Sequence, residues 1–156
     1  MVAARMDRRQ QELQNYALAE AAAHGDLLRV EATLDMGADA NCRYQGFTPL
    51  YLAAMKDHHR VVQCLLRRGA RTEVVCNKRR TAIMIAASRG RLKTVEVLLA
   101  FKANVDVKDE RGATAWHLAV RNGHEGVAEM LRVAQKVISV PRTTLLLSKL
   151  RTSSPA

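Results

Sequence analysis

The chain reads as an all-α solenoid, a stack of helix–turn–helix units joined by β-hairpin-like loops, and three observations predict it. One phrase returns every 33 residues: TPLYLAA from Thr48, TAIMIAA from Thr81 and TAWHLAV from Thr114. A second phrase keeps nearly the same beat, with LDMGADAN closing on Asn41, LLRRGARTE on Glu73 and LLAFKANVD on Asp106. Aromatic residues make up only 4% of the chain against 48% hydrophobic, so the core must be built from Leu, Val, Ile and Ala, which suits closely packed helices. Repetition at this period marks an array whose units bury their apolar faces only against one another.

On this reading, residues 1–12 form an N-terminal extension. The repeats occupy about 13–42, 45–74, 78–107 and 111–136, and a tail covers 137–156. The first unit lacks the TPL phrase but carries the alanine pair Ala21-Ala22, the turn residue Gly25 and an apolar stripe of Leu27, Leu28, Val30 and Leu34. In the second, Thr48 supplies a capping oxygen and Pro49 sits in the first helical turn, where its missing N–H costs nothing. Ala53 and Ala54 let neighbouring helices approach closely. Asp57 then takes the left-handed turn position that Gly25, Gly90 and Gly123 fill elsewhere, a backbone that glycine and, less readily, Asp tolerate. The second helix places Val61, Val62, Leu65 and Leu66 at helical spacing. The third unit repeats the pattern with Ala86-Ala87 and with Val95, Leu98 and Leu99. The fourth does so with Ala119-Val120, Val127 and Leu131.

These residues resemble the ankyrin repeat: TPLYLAA, the Gly or Asp turn, VVQCLLRRGA and the returning loop match its TPLH-like phrase and length over about residues 13–136. Several positions depart from that pattern. The loop from Asn41 to Thr48 is one residue shorter than its counterparts. The hairpin glycine, Gly46 and Gly112 in two units, is Arg79 in the third. An L-residue at positive φ costs roughly 1–2 kcal/mol, so a different turn is expected there. Trp116 replaces Leu50 and Ile83, and the repeat register stops at Lys136, as it would in one form of a longer array. The tail VISVPRTTLLLSKLRTSSPA allows either a degenerate capping helix, with Leu146 or Leu147 against the fourth unit, or a disordered segment.

Composition excludes several functions. No apolar run approaches the roughly 18–20 residues of a membrane span. The N-terminus has no apolar core of a secretory signal, and an organelle presequence is interrupted by Asp7 and Glu12. Cys42, Cys64 and Cys76 are odd in number and lack ligand-like spacing, as suits a reducing compartment, the cytoplasm or nucleus. A metal site is not expected: His58-His59 diverge on a helix, and His58, His117 and His124 occupy repeat positions with structural uses. GRLKT at 90–94 lacks the Gly-Lys junction of a phosphate loop, and no GxSxG or HExxH phrase occurs. The reading is therefore a protein that is not an enzyme and needs no cofactor.

Recognition remains. Net charge is +10, but residues 17–41 carry −4 whereas 42–74 and 75–107 carry +4 and +5, a distribution that steers an oppositely charged partner. The resemblance implies a concave face lined by hairpin tips and the exposed side of each first helix. Carried over unit by unit, its slots fall on Ala23 and His24; on Tyr44, Gln45, Phe47, Met55 and Lys56; on Asn77, Lys78, Arg80, Ser88 and Arg89; and on Glu110, Arg111, Ala113, Arg121 and Asn122. Lys56, Lys78, Arg80, Arg89, Arg111 and Arg121 would form a basic stripe, with Tyr44 and Phe47 as aromatic anchors at one end, since an exposed Phe in a tip loop has no folding reason to be there. The expected function is a monomeric protein–protein interaction adaptor or scaffold whose groove binds an acidic or phosphorylated segment. The alternative is a nuclear, nucleic-acid-associated protein using the basic second and third repeats. Lys78-Arg79-Arg80 would then serve as a minimal import signal, although one aromatic pair offers little for bases to stack on.

Overall fold

A computed structural model describes residues 7–139 of the chain. The cap or tail expected over 140–156, with Leu146 and Leu147, lies outside the described residues. Four pairs of antiparallel helices follow one another: α1 (Arg8–His24) and α2 (Leu27–Asp35), α3 (Pro49–Lys56) and α4 (His59–Arg67), α5 (Ala82–Ser88) and α6 (Leu92–Ala100), α7 (Ala115–Arg121) and α8 (Glu125–Ser139). First helices pack on first helices and second on second, so α1, α3, α5 and α7 form one layer and α2, α4, α6 and α8 the other.

The periodic residues explain this stacking. The alanines of the first helices, Ala21, Ala22, Ala53, Ala54, Ala86, Ala87 and Ala119, are completely buried, and with only a methyl group each they permit the short interaxial distance of roughly 8 Å at the lower end of helix packing. Around them lie Leu18, Leu50, Ile83 and Leu118 from the first helices and Val30, Val61, Val62, Leu65, Val95, Leu98 and Leu131 from the second, all buried. Thr48 caps α3 by accepting the Tyr51 N–H at 3.2 Å, and Asp26 caps α2 by accepting that of Arg29 at 3.1 Å. The turn residues Gly25, Asp57, Gly90 and Gly123 all have positive φ, from 66° to 77°.

The second sequence phrase supplies links between repeats. Asn41 Oδ1 accepts the Arg71 N–H at 2.7 Å while its Nδ2 donates to the Gly69 carbonyl at 3.1 Å. Glu73 accepts the Asn104 N–H at 3.1 Å, and Asp106 accepts from Gln135 Nε2 at 2.8 Å. The first two satisfy backbone groups of the next loop that would otherwise rely on water, and the last ties a loop to α8.

One sequence expectation changes. Leu28 is 78% exposed and does not belong to the α2 core stripe. Helical structure begins at Arg8, five residues ahead of the expected first repeat. At the other end α8 continues to Ser139, exposing Val133, Val137 and Ile138. The third hairpin does take a different turn: it closes from Cys76 to Arg80 around three residues where the second closes from Tyr44 to Phe47 around two, and it holds two residues at positive φ where the fourth holds Gly112 alone. Lys78 and Arg79 hold φ of 60° and 54°, as Gln45 and Gly46 hold 51° and 83° in the second. Its closing bond, Cys76 N–H to the Arg80 carbonyl at 2.8 Å, and a bond from the Glu110 N–H to the Lys78 carbonyl at 3.2 Å hold this strained turn.

Candidate functional site

The first helices and the hairpin tips border one face, and the repeat register sets two rows along it. Gln45, Lys78 and Arg111 occupy equivalent tip positions. Lys56, Arg89 and Asn122 occupy equivalent positions at the C-terminal ends of α3, α5 and α7, where a cation also complements the helix dipole. Arg121 ends α7 itself. Lys56, Lys78, Arg89, Arg111 and Arg121 are all exposed, and among the described residues none of the five takes part in an ion pair.

Arg80 behaves differently from the stripe residue expected of it. Its side chain is 23% exposed and its Nε lies 3.6 Å from Oδ2 of Asp109, whose side chain is 2% exposed. The other carboxylate oxygen accepts the N–H groups of Arg111 and Ala113, both at 2.9 Å, so Asp109 shapes the fourth hairpin while pairing with the third. Burial pushes the Asp109 carboxyl up, but those two N–H donors and the Arg80 guanidinium outweigh it and hold the group below the ordinary carboxylate range. Arg80 therefore joins repeats. Ala113, another expected groove slot, is buried.

At the other end of the face, Phe47 also has a folding reason for its place. Its ring stacks on Tyr51 with centroids 5.2 Å apart, and it is packed against the core. Tyr44 meets Tyr16 of α1 edge-on at 5.1 Å. Between them opens a cleft of about 320 Å³ lined by Tyr16, Ala19, Glu20, Ala23, His24, Tyr44, Gln45, Phe47 and Leu52. Tyr16 and Leu52 had no place in the sequence reading. Tyr16 stands one repeat before Thr48, in the unit that lacks the hairpin phrase, so register gave it no groove slot. Burial pushes the Tyr51 phenol up, with Cys76 adding to it, while the charges of Arg80 and Arg89 pull it back.

Two of the histidines have structural roles. Nε2 of His58 lies 3.3 Å from the Ala23 carbonyl, and Nδ1 of His117 lies 2.8 Å from Thr114 Oγ1 and 3.3 Å from its N–H, closing the N-terminus of α7. The three cysteines are free. Burial raises Cys42 to about 11 and also pushes Cys64 up, which leaves both thiols protonated and unreactive near neutral pH. No helix among the described residues is long and apolar enough to cross a membrane.

Family profiles of ankyrin repeats match residues 18–66 and 58–140, the second spanning more than half of the chain. The chain belongs to the ankyrin repeat family. An ankyrin array is a protein–protein interaction module, presenting an extended concave surface in place of an enclosed pocket. Among curated proteins, the chain is 33% identical over 129 residues to the probable E3 ubiquitin-protein ligase XBOS32 of Oryza sativa subsp. japonica, covering 80% of this chain and 26% of that protein. It is 34% identical over 116 residues to the ankyrin repeat and KH domain-containing protein mask-1 of Caenorhabditis elegans, covering 74% of this chain and 4% of that protein. Over 122 residues it is 36% identical to the ankyrin repeat, SAM and basic leucine zipper domain-containing protein 1 of Equus caballus, covering 74% of this chain and 26% of that protein. The chain thus spans about a quarter, or far less, of the relatives it matches.

Proposed function

We propose that this ankyrin array is a non-enzymatic adaptor whose concave face holds an acidic or phosphorylated segment of a partner protein in the cytoplasm or nucleus. The observation that supports it is the set of five exposed cations, Lys56, Lys78, Arg89, Arg111 and Arg121, that lack a carboxylate partner among the described residues. Three other arginines find carboxylates, Arg29 with Glu20, Arg68 with Asp35 and Arg132 with Glu129, whereas Arg60, Arg67 and Arg71 do not among the described residues, so it is the shared repeat register of the five together with their lack of a partner that supports the reading. Guanidinium groups left unpaired on a concave face suit bidentate capture of carboxylate or phosphate, and the aromatic cleft beside them supplies apolar burial.

The test is charge reversal away from the ion pair that joins the repeats. Arg89→Glu with Arg121→Glu leaves the Arg80–Asp109 contact in place, and the variant is expected to keep its melting temperature while losing at least about tenfold of its affinity for the partner captured by wild-type protein. Undiminished capture by this double variant rejects the groove. Capture of nucleic acid in place of protein, with affinity falling steeply as salt rises, would point to the other class of partner.

A further inference from the structure

The cleft and the cations stand at different points along the stack, and their separation carries information about what lies between them. The cleft sits where α1 faces the second hairpin and α3. Lys78 and Arg89 belong to the third repeat, Arg111 and Arg121 to the fourth. Neighbouring first helices are roughly 8–10 Å apart, and an extended chain advances about 3.3 Å per residue. A segment laid along the face therefore crosses one repeat in about three residues. It reaches the cations of the third repeat about four residues from the cleft, and those of the fourth about seven.

Charge fixes the order. Glu20, paired with Arg29 at 3.3 Å, lines the cleft, and residues 17–41 carry −4, whereas 42–74 carry +4 and 75–107 carry +5. A carboxylate beside the cleft meets like charge, and one further along meets unpaired arginines. The cleft is apolar on most of its wall, through Tyr16, Ala19, Ala23, Phe47 and Leu52, and its 320 Å³ lies at the small end of the range for ligand pockets, roughly 300–1,000 Å³, with room for one bulky side chain.

We propose that the groove reads a two-part extended segment: one large apolar side chain seated in the Tyr16–Tyr44–Phe47–Leu52 cleft, and acidic side chains about four and about seven residues away on one side of it, held by the third and fourth repeats. This rests on the groove reading above and adds to it the partner's pattern. The two halves reinforce each other through a shared backbone. The anchor supplies the buried contact that discriminates, and the acids, drawn in by long-range attraction, set the direction in which the segment lies.

The experiment uses the full chain and fluorescein-labelled synthetic peptides of 14 residues in a Ser/Gly background, read by anisotropy. One peptide carries Leu with Glu at +4 and +7, a second carries the same residues in reversed order, and a third replaces the Leu by Ser. One of the two orders is expected to bind at least about tenfold more tightly than the Leu-free peptide. Tyr16→Ala, at a half-exposed position, should abolish that gain while leaving the Leu-free binding unchanged, and Tyr44→Ala is a second variant should the first alter the melting temperature. Arg121→Glu should weaken the peptide with both acids more than a peptide with the +4 acid alone. If the acidic peptides bind with no gain from Leu in either order, the two-part pattern is wrong and the groove reading stands. If the acidic peptides do not bind at all, both fail.

Discussion

The Thr94 hydroxyl donates to Oδ1 of Asp57 at 2.8 Å, across the boundary between the third and second repeats. Thr94 is completely buried, and Asp57 occupies the left-handed turn that the other three units give to glycine. The second unit thus exchanges backbone ease for a hydrogen bond to its neighbour. Asp57→Ala, which loses the bond and keeps a Cβ at positive φ, should cost about 2–3 kcal/mol. Asp57→Gly, which loses the bond but relaxes the turn, should cost about 1 kcal/mol. Asp57→Asn, which keeps an acceptor, should be close to neutral. Urea denaturation of the three variants checks the order, and a glycine variant as stable as wild type would remove the bond from the account.

The rings of His58 and His124 lie over the turn glycines of the preceding repeats. A Cβ placed on Gly25 would come within 2.5 Å of the His58 ring and one on Gly90 within 2.5 Å of the His124 ring, whereas one on Gly123 meets nothing within 4 Å. All three glycines have positive φ. Gly123→Ala should therefore cost only the backbone strain, about 1–2 kcal/mol, and Gly25→Ala clearly more because the imidazole must also move. Pairing Gly25→Ala with His58→Ala should recover that excess. Equal losses at Gly25 and Gly123 would show that the ring contact contributes nothing.

Lys102 has a φ of 59° at the position where the first two repeats have Gly37 and Gly69, with φ of 94° and 90°. Lys102→Gly removes a left-handed L-residue at the cost of a more flexible unfolded chain, for a net gain of about 0.5–1 kcal/mol. Arg79→Gly should give a similar gain by restoring the glycine of the other hairpins. Higher denaturation midpoints for both are the expected result.

Acid should unpick the junction between the third and fourth repeats. Asp109 is held below its ordinary carboxyl value, so in that acid range the unfolded chain binds more protons than the folded one. Its contribution is complete above about pH 4 and is lost as pH falls through the lower folded value. Asp109→Asn removes the charge and keeps an acceptor oxygen. Its deficit against wild type should be largest at neutral pH and should narrow as pH is lowered below about 4. A deficit that does not change with pH would mean that the Arg80 contact has no electrostatic share in stability.

The helices, the turns and the alanine layer were legible because they depend on requirements that recur in every unit, an apolar stripe, a left-handed backbone and a close approach; the cap that Thr48 makes is not repeated by Thr81. The face was less legible because equivalent positions need not behave alike. Phe47, Arg80 and Ala113 share one register position, yet one stacks on Tyr51, one pairs with Asp109 and one is buried. What each does depends on which residue the next repeat offers, and a period contains no such information. Tyr16 escaped for the converse reason, since the first unit departs from the period where its helix runs upstream.

The principal helix contacts stay within a repeat or reach the next one, and each side-chain link, from Asn41, Glu73, Asp106 or Asp109, spans a single boundary. Nothing in such a chain obliges distant units to open together, so amide exchange should be slowest in the two middle repeats, which have neighbours on both sides, and fastest in the outer ones. A segment lying from the Tyr16 cleft to Arg121 would be a tie that crosses every boundary at once. Bound, the four repeats would melt as one body; free, they would fray from either end.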